Sequence, residues 1–485
     1  MHKYQTFYMN IENLRIKVGV PIFTNTMSNP ASLKSNSSYR DVWRVSMPLV
    51  VSMSTTVVMT FTDRMFLANY SIDAIAAALP AGITAFVFLS FFSDTAGYSN
   101  VIIAQYTGAG DLKRVGNAMW QSLYFSMIAW LIMIALSLCA GPLFQFVGHA
   151  PEVQQLEAIY FRVLCLGSGI YIVGMSLSSF YTGRGVTRPV MIIHFMGMLL
   201  NVPLDYALIN GVWIFPELGI LGAGLATVFS WTVITALLAF IVFTRENDLV
   251  FRVMKNYHFN LDPFRRLLRF GVPSALQFSL DVFAFLFFVF MVGRIGKAEL
   301  AVTNIAISLD SVSFRPLIGF ALGTSTLVGQ ALGRNRPDQA VAAAKATMTI
   351  VAGYISVLIL LYLFVPQPLL ELFRPRDVSP EGFAVIKDTG VVVLRFVAAY
   401  LLLDGLYMIS TAVLKGAGDT KFIMWSIAGI SILGLVMPLY IGMEIYGLGL
   451  YFAWGCLVVF LFQMASVTFG RFRLGRWKSM RVIEQ

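Results

Sequence analysis

The chain has 485 residues, of which 58% are hydrophobic and only 12% are charged, and its formal net charge is +10. Soluble domains carry roughly 25% charged and about 45–50% apolar residues, so this composition excludes an ordinary soluble protein. A dozen membrane spans of about 20 residues each take roughly 240 residues, which leaves no room for a large soluble catalytic domain.

The first 42 residues are polar and mixed, and their only apolar stretch, Val18 to Phe23, is short. A secretory signal needs an apolar core of about 7–15 residues and a small-residue cleavage site, and neither is present. We therefore interpret residues 1–42 as a flexible cytoplasmic tail.

Twelve apolar runs follow, each long enough to cross a bilayer as a helix. Helices are the default because a lipid-exposed backbone must satisfy its own hydrogen bonds. The first six lie near residues 44–68, 74–104, 116–140, 156–181, 187–210 and 219–243. The second six lie near residues 269–294, 298–332, 341–366, 385–413, 421–443 and 446–470. The predicted fold class is an all-α polytopic membrane protein with twelve transmembrane helices.

The distribution of Lys and Arg predicts the orientation of these spans. Of the 35 Lys and Arg residues, 26 fall in tails and loops on one side of the predicted spans and five fall on the other side. Because cytoplasmic loops carry an excess of basic residues, we expect a multi-pass protein of the inner (plasma) membrane with both termini in the cytoplasm. The same distribution argues against nucleic-acid binding, since the basic residues follow a membrane face rather than a groove.

The second half of the chain repeats motifs of the first half at a constant offset. The matching pairs are Arg44-x3-Pro48 with Arg269-x3-Pro273, Gln105-x2-Gly108 with Gln330-x2-Gly333, and Gly222-x-Gly224-Leu225 with Gly447-x-Gly449-Leu450. A fourth pair, Gly183-x-Gly185 with Gly416-x-Gly418, needs a slightly larger offset. Six spans per half make these parallel repeats, which predicts two pseudo-symmetric six-helix lobes around a central cleft.

The repeat also predicts the domain boundaries. We expect a first lobe at 43–243, a cytoplasmic inter-lobe linker at 244–268, a second lobe at 269–470 and a basic cytoplasmic tail at 471–485. Within the linker, Asp262-Pro263 predicts the cap and first turn of an interfacial helix.

Acids within membrane spans are costly, so each is a functional candidate unless a partner explains it. Asn201 and Asp205 lie four residues apart, on one face of span 5. Asp63 lies toward the outer end of span 1, and Thr227 in span 6 adds a hydroxyl. This oxygen-rich set predicts a site for a proton or a small hard cation, with Na⁺ at Asp63, Asn201 and Asp205. In the structural alternative, Asp205 caps the outer loop and Asp63 pairs with Arg64.

The second half carries two pairs with the same spacing of four residues. Gln277 and Asp281 share a face of span 7, and Tyr400 and Asp404 share a face of span 10. These pairs predict substrate binding or a proton role in the second lobe. The alternative is that they only join helices through hydrogen bonds.

The remaining polar residues of the spans carry weaker signals. Asp310 fits a structural bridge to Arg315, and Asp94 has no assigned role. His194, the one histidine inside a long apolar run, is expected to be a packed core residue. The three cysteines, Cys139, Cys165 and Cys456, lie far apart without metal or disulfide spacing. We therefore expect no cofactor beyond the coupling ion.

The chain resembles the MATE (multidrug and toxic compound extrusion) family of cation-coupled exporters over about residues 43–470. The motifs that carry the resemblance are Phe61-Thr62-Asp63, Gln105-Tyr106-Thr107-Gly108-Ala109, Asn201-Val202-Pro203-Leu204-Asp205, Leu221-Gly222-Ala223-Gly224-Leu225-Ala226-Thr227, Pro273-Ser274-Ala275-Leu276 and Leu414-Lys415-Gly416-Ala417-Gly418-Asp419-Thr420. The resemblance implies a cation or proton site at Asp63, Asn201, Asp205 and Thr227. It implies a substrate or ion role for Asp281, Asp404 and Tyr400, with Asp281 standing where the family more often has Glu.

The function expected from the residues and the resemblance is secondary active antiport. A monomer in the lipid bilayer would export small organic compounds, cationic and amphiphilic, in exchange for Na⁺ or H⁺, and would not be an enzyme. One alternative is a flippase for lipid-linked or polysaccharide precursors, which would need basic cleft residues, for which the candidates are Arg162, Arg315 and Arg395. A membrane-embedded enzyme or receptor is the alternative from another class.

Overall fold

The computed structural model describes residues 36–147, 149–212, 214–374 and 380–484. The first 35 residues of the expected N-terminal tail lie outside this description. Its remaining residues are helical, because the first helix begins at Asn36 rather than after residue 42.

Twelve helices are long and apolar enough to cross a membrane, and the predicted all-α fold is confirmed for the part of the chain that the structure describes. We number their membrane-spanning parts α1 to α12. In the first half they are α1 Ser38–Tyr70, α2 Ile72–Ala109, α3 Leu112–Leu138, α4 Pro151–Thr182, α5 Arg188–Asn210 and α6 Ile220–Val242. In the second half they are α7 Leu261–Gly293, α8 Lys297–Gly333, α9 Pro337–Phe364, α10 Phe383–Ala417, α11 Thr420–Ile445 and α12 Leu450–Leu474.

Two helices depart from regular α geometry. In α2, one helix ends at Gly97 and the next begins at Ser99, with Tyr98 between them. In α11, the segments Ser431–Val436 and Ile441–Ile445 are π-helical. Such irregular backbone is tolerated at membrane depth where neighbouring helices pack against it, and π segments frequently accompany functional sites.

The two halves form two separate hydrophobic cores, as the repeat predicts. The core of the first lobe contains Phe161 and Phe180, and that of the second lobe contains Phe288 and Trp454, all of them essentially inaccessible. Val42 at the start of α1 packs into the core of the second lobe, so the first helix crosses between the lobes.

The lobes meet along a seam at the membrane face that carries both described chain ends and most of the Lys and Arg, which we call the basic face. A Cβ atom on Gly108 would lie 2.1 Å from the carbonyl oxygen of Gln330, and one on Gly333 would lie 2.1 Å from that of Gln105. Only glycine permits such an approach, which explains why both repeats carry Gln-x2-Gly.

Side-chain amides close the same seam. The Gln105 amide donates to the carbonyl oxygen of Gly416 at 3.0 Å, and the Gln330 amide donates to that of Gly183 at 2.9 Å. The motifs related by the sequence repeat therefore contact each other around a pseudo-twofold axis. These contacts close the basic face, so the central cleft that the repeat predicts would open toward the opposite side.

The segments outside the lobes are more ordered than the sequence indicates. Asn260 caps α7 itself, which runs without interruption from Leu261 through the span, so the predicted separate interfacial helix is wrong. At the C-terminal end, α12 continues to Leu474 and a 3-10 helix spans Arg476–Ser479. Val482 then inserts at the seam, where it is 2% exposed and its backbone N–H donates to Gln105 Oε1 at 2.9 Å.

Candidate functional site

Three side chains of the predicted cation site meet inside the first lobe. Asp63 on α1 is 6% exposed, and Asn201 and Asp205 on α5 are fully buried. The carboxyl groups of Asp63 and Asp205 are close enough to interact electrostatically. The spacing of four residues between Asn201 and Asp205 places both on the interior face of α5, as the sequence predicts.

A tyrosine that the sequence analysis missed completes this cluster. The Tyr160 hydroxyl, on α4, donates to Asp63 Oδ2 at 2.8 Å. Tyr160 is 6% exposed and lies three helices away from Asp63 in the chain. A tyrosine in an apolar span has no distinguishing spacing, so only the packing of α4 against α1 and α2 reveals it.

Most polar atoms of the cluster have no partner among the described residues. Asp63 Oδ1, both carboxylate oxygens of Asp205 and both amide atoms of Asn201 are buried without a hydrogen bond. Buried polar groups are normally hydrogen-bonded, so a set of this size needs an explanation. Four oxygens and one amide nitrogen fit a proton or a small hard cation that takes oxygen ligands.

The structural alternatives for these acids find no support. Asp205 is fully buried and makes no capping hydrogen bond. Arg64 is exposed and forms no direct ion pair with Asp63 within the described ranges, although its charge acts on Asp63 electrostatically. The same ranges contain no group of three or more His, Cys, Asp or Glu residues that would hold a transition metal.

Two further polar residues of the first lobe do not join this cluster. Thr227 on α6 is partly buried, and no hydrogen bond connects it to the acids in the described part of the chain. His194, two turns before Asn201 on α5, lines a cavity of about 30 Å³ together with Tyr171 and Trp231. Its 9% exposure agrees with the expected core position.

The second lobe contains a hydrogen-bonded group around Asp281. The Tyr407 hydroxyl donates to Asp281 Oδ2 at 2.6 Å, and the Gln277 amide donates to the same oxygen. Gln277 also donates to the Tyr407 hydroxyl at 3.1 Å. The structure therefore brings together the predicted pair of α7 and adds Tyr407 of α10, which the sequence analysis missed.

The second predicted pair, Tyr400 and Asp404, is arranged differently from the expectation. The Tyr400 hydroxyl hydrogen-bonds Asp310 of α8, and Asp404 interacts electrostatically with both Asp310 and Asp281. The bridge between Asp310 and Arg315 is wrong, because Asp310 contacts Tyr400 and no ion pair joins it to Arg315 among the described residues. Three carboxyl groups thus face one region of the second lobe.

A twofold-repeated helical membrane protein with buried acids in each lobe belongs to the class of membrane transporters. The MatE family model matches residues 48–207 and 273–440. This covers more than half of the chain, which therefore belongs to the MatE family. Its members are transporters rather than enzymes.

The curated relatives match nearly the whole chain. A "Probable multidrug resistance protein NorM" of Thermotoga maritima is 25% identical over 92% of this chain and 94% of that protein. A protein of the same name from Pseudomonas putida is 28% identical over 78% of this chain and 82% of that protein.

Solved structures share the fold. One, described as the outward-facing conformation of a multidrug resistance MATE family transporter of the MOP superfamily, matches with TM-score 0.82 and 22% identity over 91% of this chain and 97% of that chain. A MOP superfamily transporter from Pyrococcus furiosus, described as having a binding pocket of reverse polarity, matches with TM-score 0.81 and 23% identity over the same shares.

Proposed function

We propose that this protein is an antiporter that exports cationic, amphiphilic organic compounds in exchange for Na⁺ or H⁺. The observation that carries the proposal is the cluster of buried, unpartnered oxygens of Asp63, Asn201 and Asp205. Relatives named as multidrug resistance proteins support export of organic compounds.

The first lobe would hold the coupling ion. Two ionised carboxyl groups buried side by side repel each other and lack solvation, which is unfavourable in a low-dielectric interior. A Na⁺ ion or protons bound there would neutralise Asp63 and Asp205, with Asn201 Oδ1 as a further ligand. Thr227 on α6 would contribute its hydroxyl as a further oxygen ligand.

The second lobe would bind the exported compound. Asp281, Asp310 and Asp404 supply negative charge, and Gln277, Tyr400 and Tyr407 orient it through hydrogen bonds. A cationic compound complements this charge. The numerous Met and Phe residues, 23 and 40 in the chain, supply adaptable apolar surface for unlike substrates.

The seam and the basic residues together suggest which state is described. If the basic face is cytoplasmic, as the Lys and Arg distribution indicates, the seam closes the cleft to the cytoplasm and the protein is outward-facing. Loading the acids of the first lobe would change its packing, release the organic compound outward and permit return to the inward-facing state.

This proposal includes the remaining expectations on location and organisation. The chain would lie in the inner membrane as a monomer, with both termini in the cytoplasm. Its units would be the lobes at 43–243 and 269–470, the linker at 244–268 and the tails at 1–42 and 471–485.

The flippase alternative gains no support from the three arginines named for it. Arg162 and Arg395 are exposed, and Arg315 alone is partly buried. A single partly buried arginine does not form the basic cleft that an anionic lipid-linked precursor needs.

Dye efflux from everted vesicles tests the proposal. An imposed Na⁺ or pH gradient should drive transport of a cationic dye by the unaltered protein. Asp205→Asn should abolish this ion-driven transport while the protein still folds and inserts. Asp73→Asn, which changes an exposed acid at the start of α2, is the matched control and should transport normally. Full transport by Asp205→Asn would refute the ion site.

A further inference from the structure

A lysine, Lys415, lies at the seam between the lobes. Lys415 is in the last turn of α10, and its carbonyl oxygen accepts a hydrogen bond from the Tyr98 hydroxyl at 2.8 Å. This bond crosses the seam, because Tyr98 belongs to the first lobe. The backbone of Lys415 is therefore part of the contact that closes the basic face.

The side chain of Lys415 points away from that face. Helical side chains lean toward the N-terminus of their own helix, and α10 begins at the opposite face of the membrane. Lysines near helix ends usually extend toward water instead. Here Lys415 is only partly exposed, although a lysine within a membrane protein is costly to bury and marks a functional candidate.

One acid from each lobe lies close enough to this ammonium group to act on it electrostatically. Lys415 interacts electrostatically with Asp94 of α2 and with Asp281 of α7. Asp94 lies four residues, about one helical turn, before Tyr98 on α2. Lys415 forms a direct ion pair with neither acid in the described ranges. Its charge is shared between the lobes rather than fixed to one partner.

Asp281 is arranged to bind a cation from the cleft. Both of its hydrogen bonds, from Tyr407 and Gln277, go to Oδ2. Oδ1 accepts no hydrogen bond in the described part of the chain, and Asp281 is only partly buried. A cationic compound that approaches this oxygen therefore competes with the ammonium group of Lys415.

We propose that Lys415 is an internal competitor for cationic substrates, which occupies the charge of Asp94 and Asp281 until such a substrate displaces it. Lys415 and Asp94 thereby determine substrate specificity at the second-lobe site. Asp94, which takes no part in the ion site, acts on substrate binding through Lys415. This inference rests on the proposed function, because it assumes that Asp281 binds the exported cation.

The argument predicts opposite effects for the lysine and for the acids. Without the Lys415 charge, Asp281 attracts a substrate cation unopposed, and binding becomes tighter. Without Asp94, the ammonium group interacts with Asp281 alone and opposes the substrate more strongly. A neutral compound of similar size experiences neither effect.

Equilibrium binding to the purified full chain in nanodiscs tests this, with tetraphenylphosphonium as cationic probe and triphenylphosphine oxide as neutral probe. Lys415→Met should bind the cation about tenfold more tightly and the neutral probe unchanged, whereas Lys415→Arg should resemble the unaltered protein. Asp94→Asn should weaken cation binding, and this loss should disappear in the Lys415→Met background.

Two results separate failure of this inference from failure of the proposed function. If Asp281→Asn weakens cation binding but Lys415→Met leaves it unchanged or weaker, the inference is overturned and the second-lobe site stands. If Asp281→Asn has no effect on the cation, the proposed substrate site itself is wrong. Parallel changes for both probes in Lys415→Met show a structural role and also overturn the inference.

Discussion

Gln105 and Gln330 make equivalent hydrogen bonds on the two sides of the seam, the first to the carbonyl oxygen of Gly416 and the second to that of Gly183. The two glutamines are related by the main offset of the sequence repeat, and the two acceptor glycines are related by the slightly larger one. Residues related by either offset therefore belong to the same contact surface between the lobes. The repeated motifs therefore correspond to the residues that join the two lobes.

The seam should open when its glycines are enlarged. Gly108→Ala would place a methyl group against the backbone carbonyl of Gln330, at a cost of about 1–3 kcal/mol to the closed state. Spin labels at positions 113 and 345, both exposed on the basic face, should report a longer distance between the lobes. Gly353→Ala, where an added Cβ meets no atom within 4 Å, should leave the distance unchanged.

The C-terminal segment should stabilise the seam through Val482. Val482→Ala removes two buried methyl groups, so we expect a loss of about 1.5 kcal/mol and a lower melting temperature in detergent. Glu484 adds ion pairs to Arg114 on α3 and to Arg266 at the start of α7. Ile483→Ala, a change at the partly exposed neighbour, should have a smaller effect. Equal effects would contradict the role of Val482.

Tyr160 should weaken ion binding in the first lobe. Its hydroxyl stabilises the empty, charged form of Asp63, so Tyr160→Phe should favour the form that holds a cation or proton. We expect the half-saturating concentration of the coupling ion to fall about fivefold to tenfold, with slower maximal efflux because release is retarded. Tyr206→Phe, at an exposed position on α5, is the control. A higher half-saturating concentration would reverse the assigned role.

Arg184, in the loop after α4, should contribute stability that does not depend on pH near neutrality. Its guanidinium carbon lies 4.0 Å from the ring centroid of Phe251 and 4.5 Å from that of Phe180. Burial lowers the pKa of Arg184 to about 10. Its charge, and with it any pH dependence of stability, therefore changes only as pH rises through that value.

Arg184→Met should lower the melting temperature, because cation–π contacts at partly desolvated sites contribute about 1–2 kcal/mol. The decrease should be the same at about pH 6 and about pH 8, since Arg184 stays charged in both the folded and the unfolded protein there. Arg188→Met, which changes an exposed arginine, should leave the melting temperature nearly unaltered. A decrease that depends on pH in this range would show that another titrating group is responsible.

Much of the candidate site follows from local spacing. Asn201 and Asp205, and likewise Gln277 and Asp281, share a helix face because four residues make about one turn. The apolar runs predict the spans for a similar reason, since lipid leaves the backbone no alternative to the helix. Asp310 shows the limit of this reasoning: its nearest basic residue in sequence is not its partner, because Tyr400 approaches from another helix.

The sequence by itself determined the number of spans, the duplicated halves and the acids whose position inside a membrane span is energetically costly. Each of these depends on periodicity or composition, which a chain carries regardless of how its helices pack. Tertiary structure alone decided that Tyr160 meets Asp63, that Tyr407 meets Asp281 and that the charge of Lys415 lies near acids of both lobes. Those contacts join helices far apart in the chain, and their geometry depends on how the helices pack, which spacing along one helix does not encode.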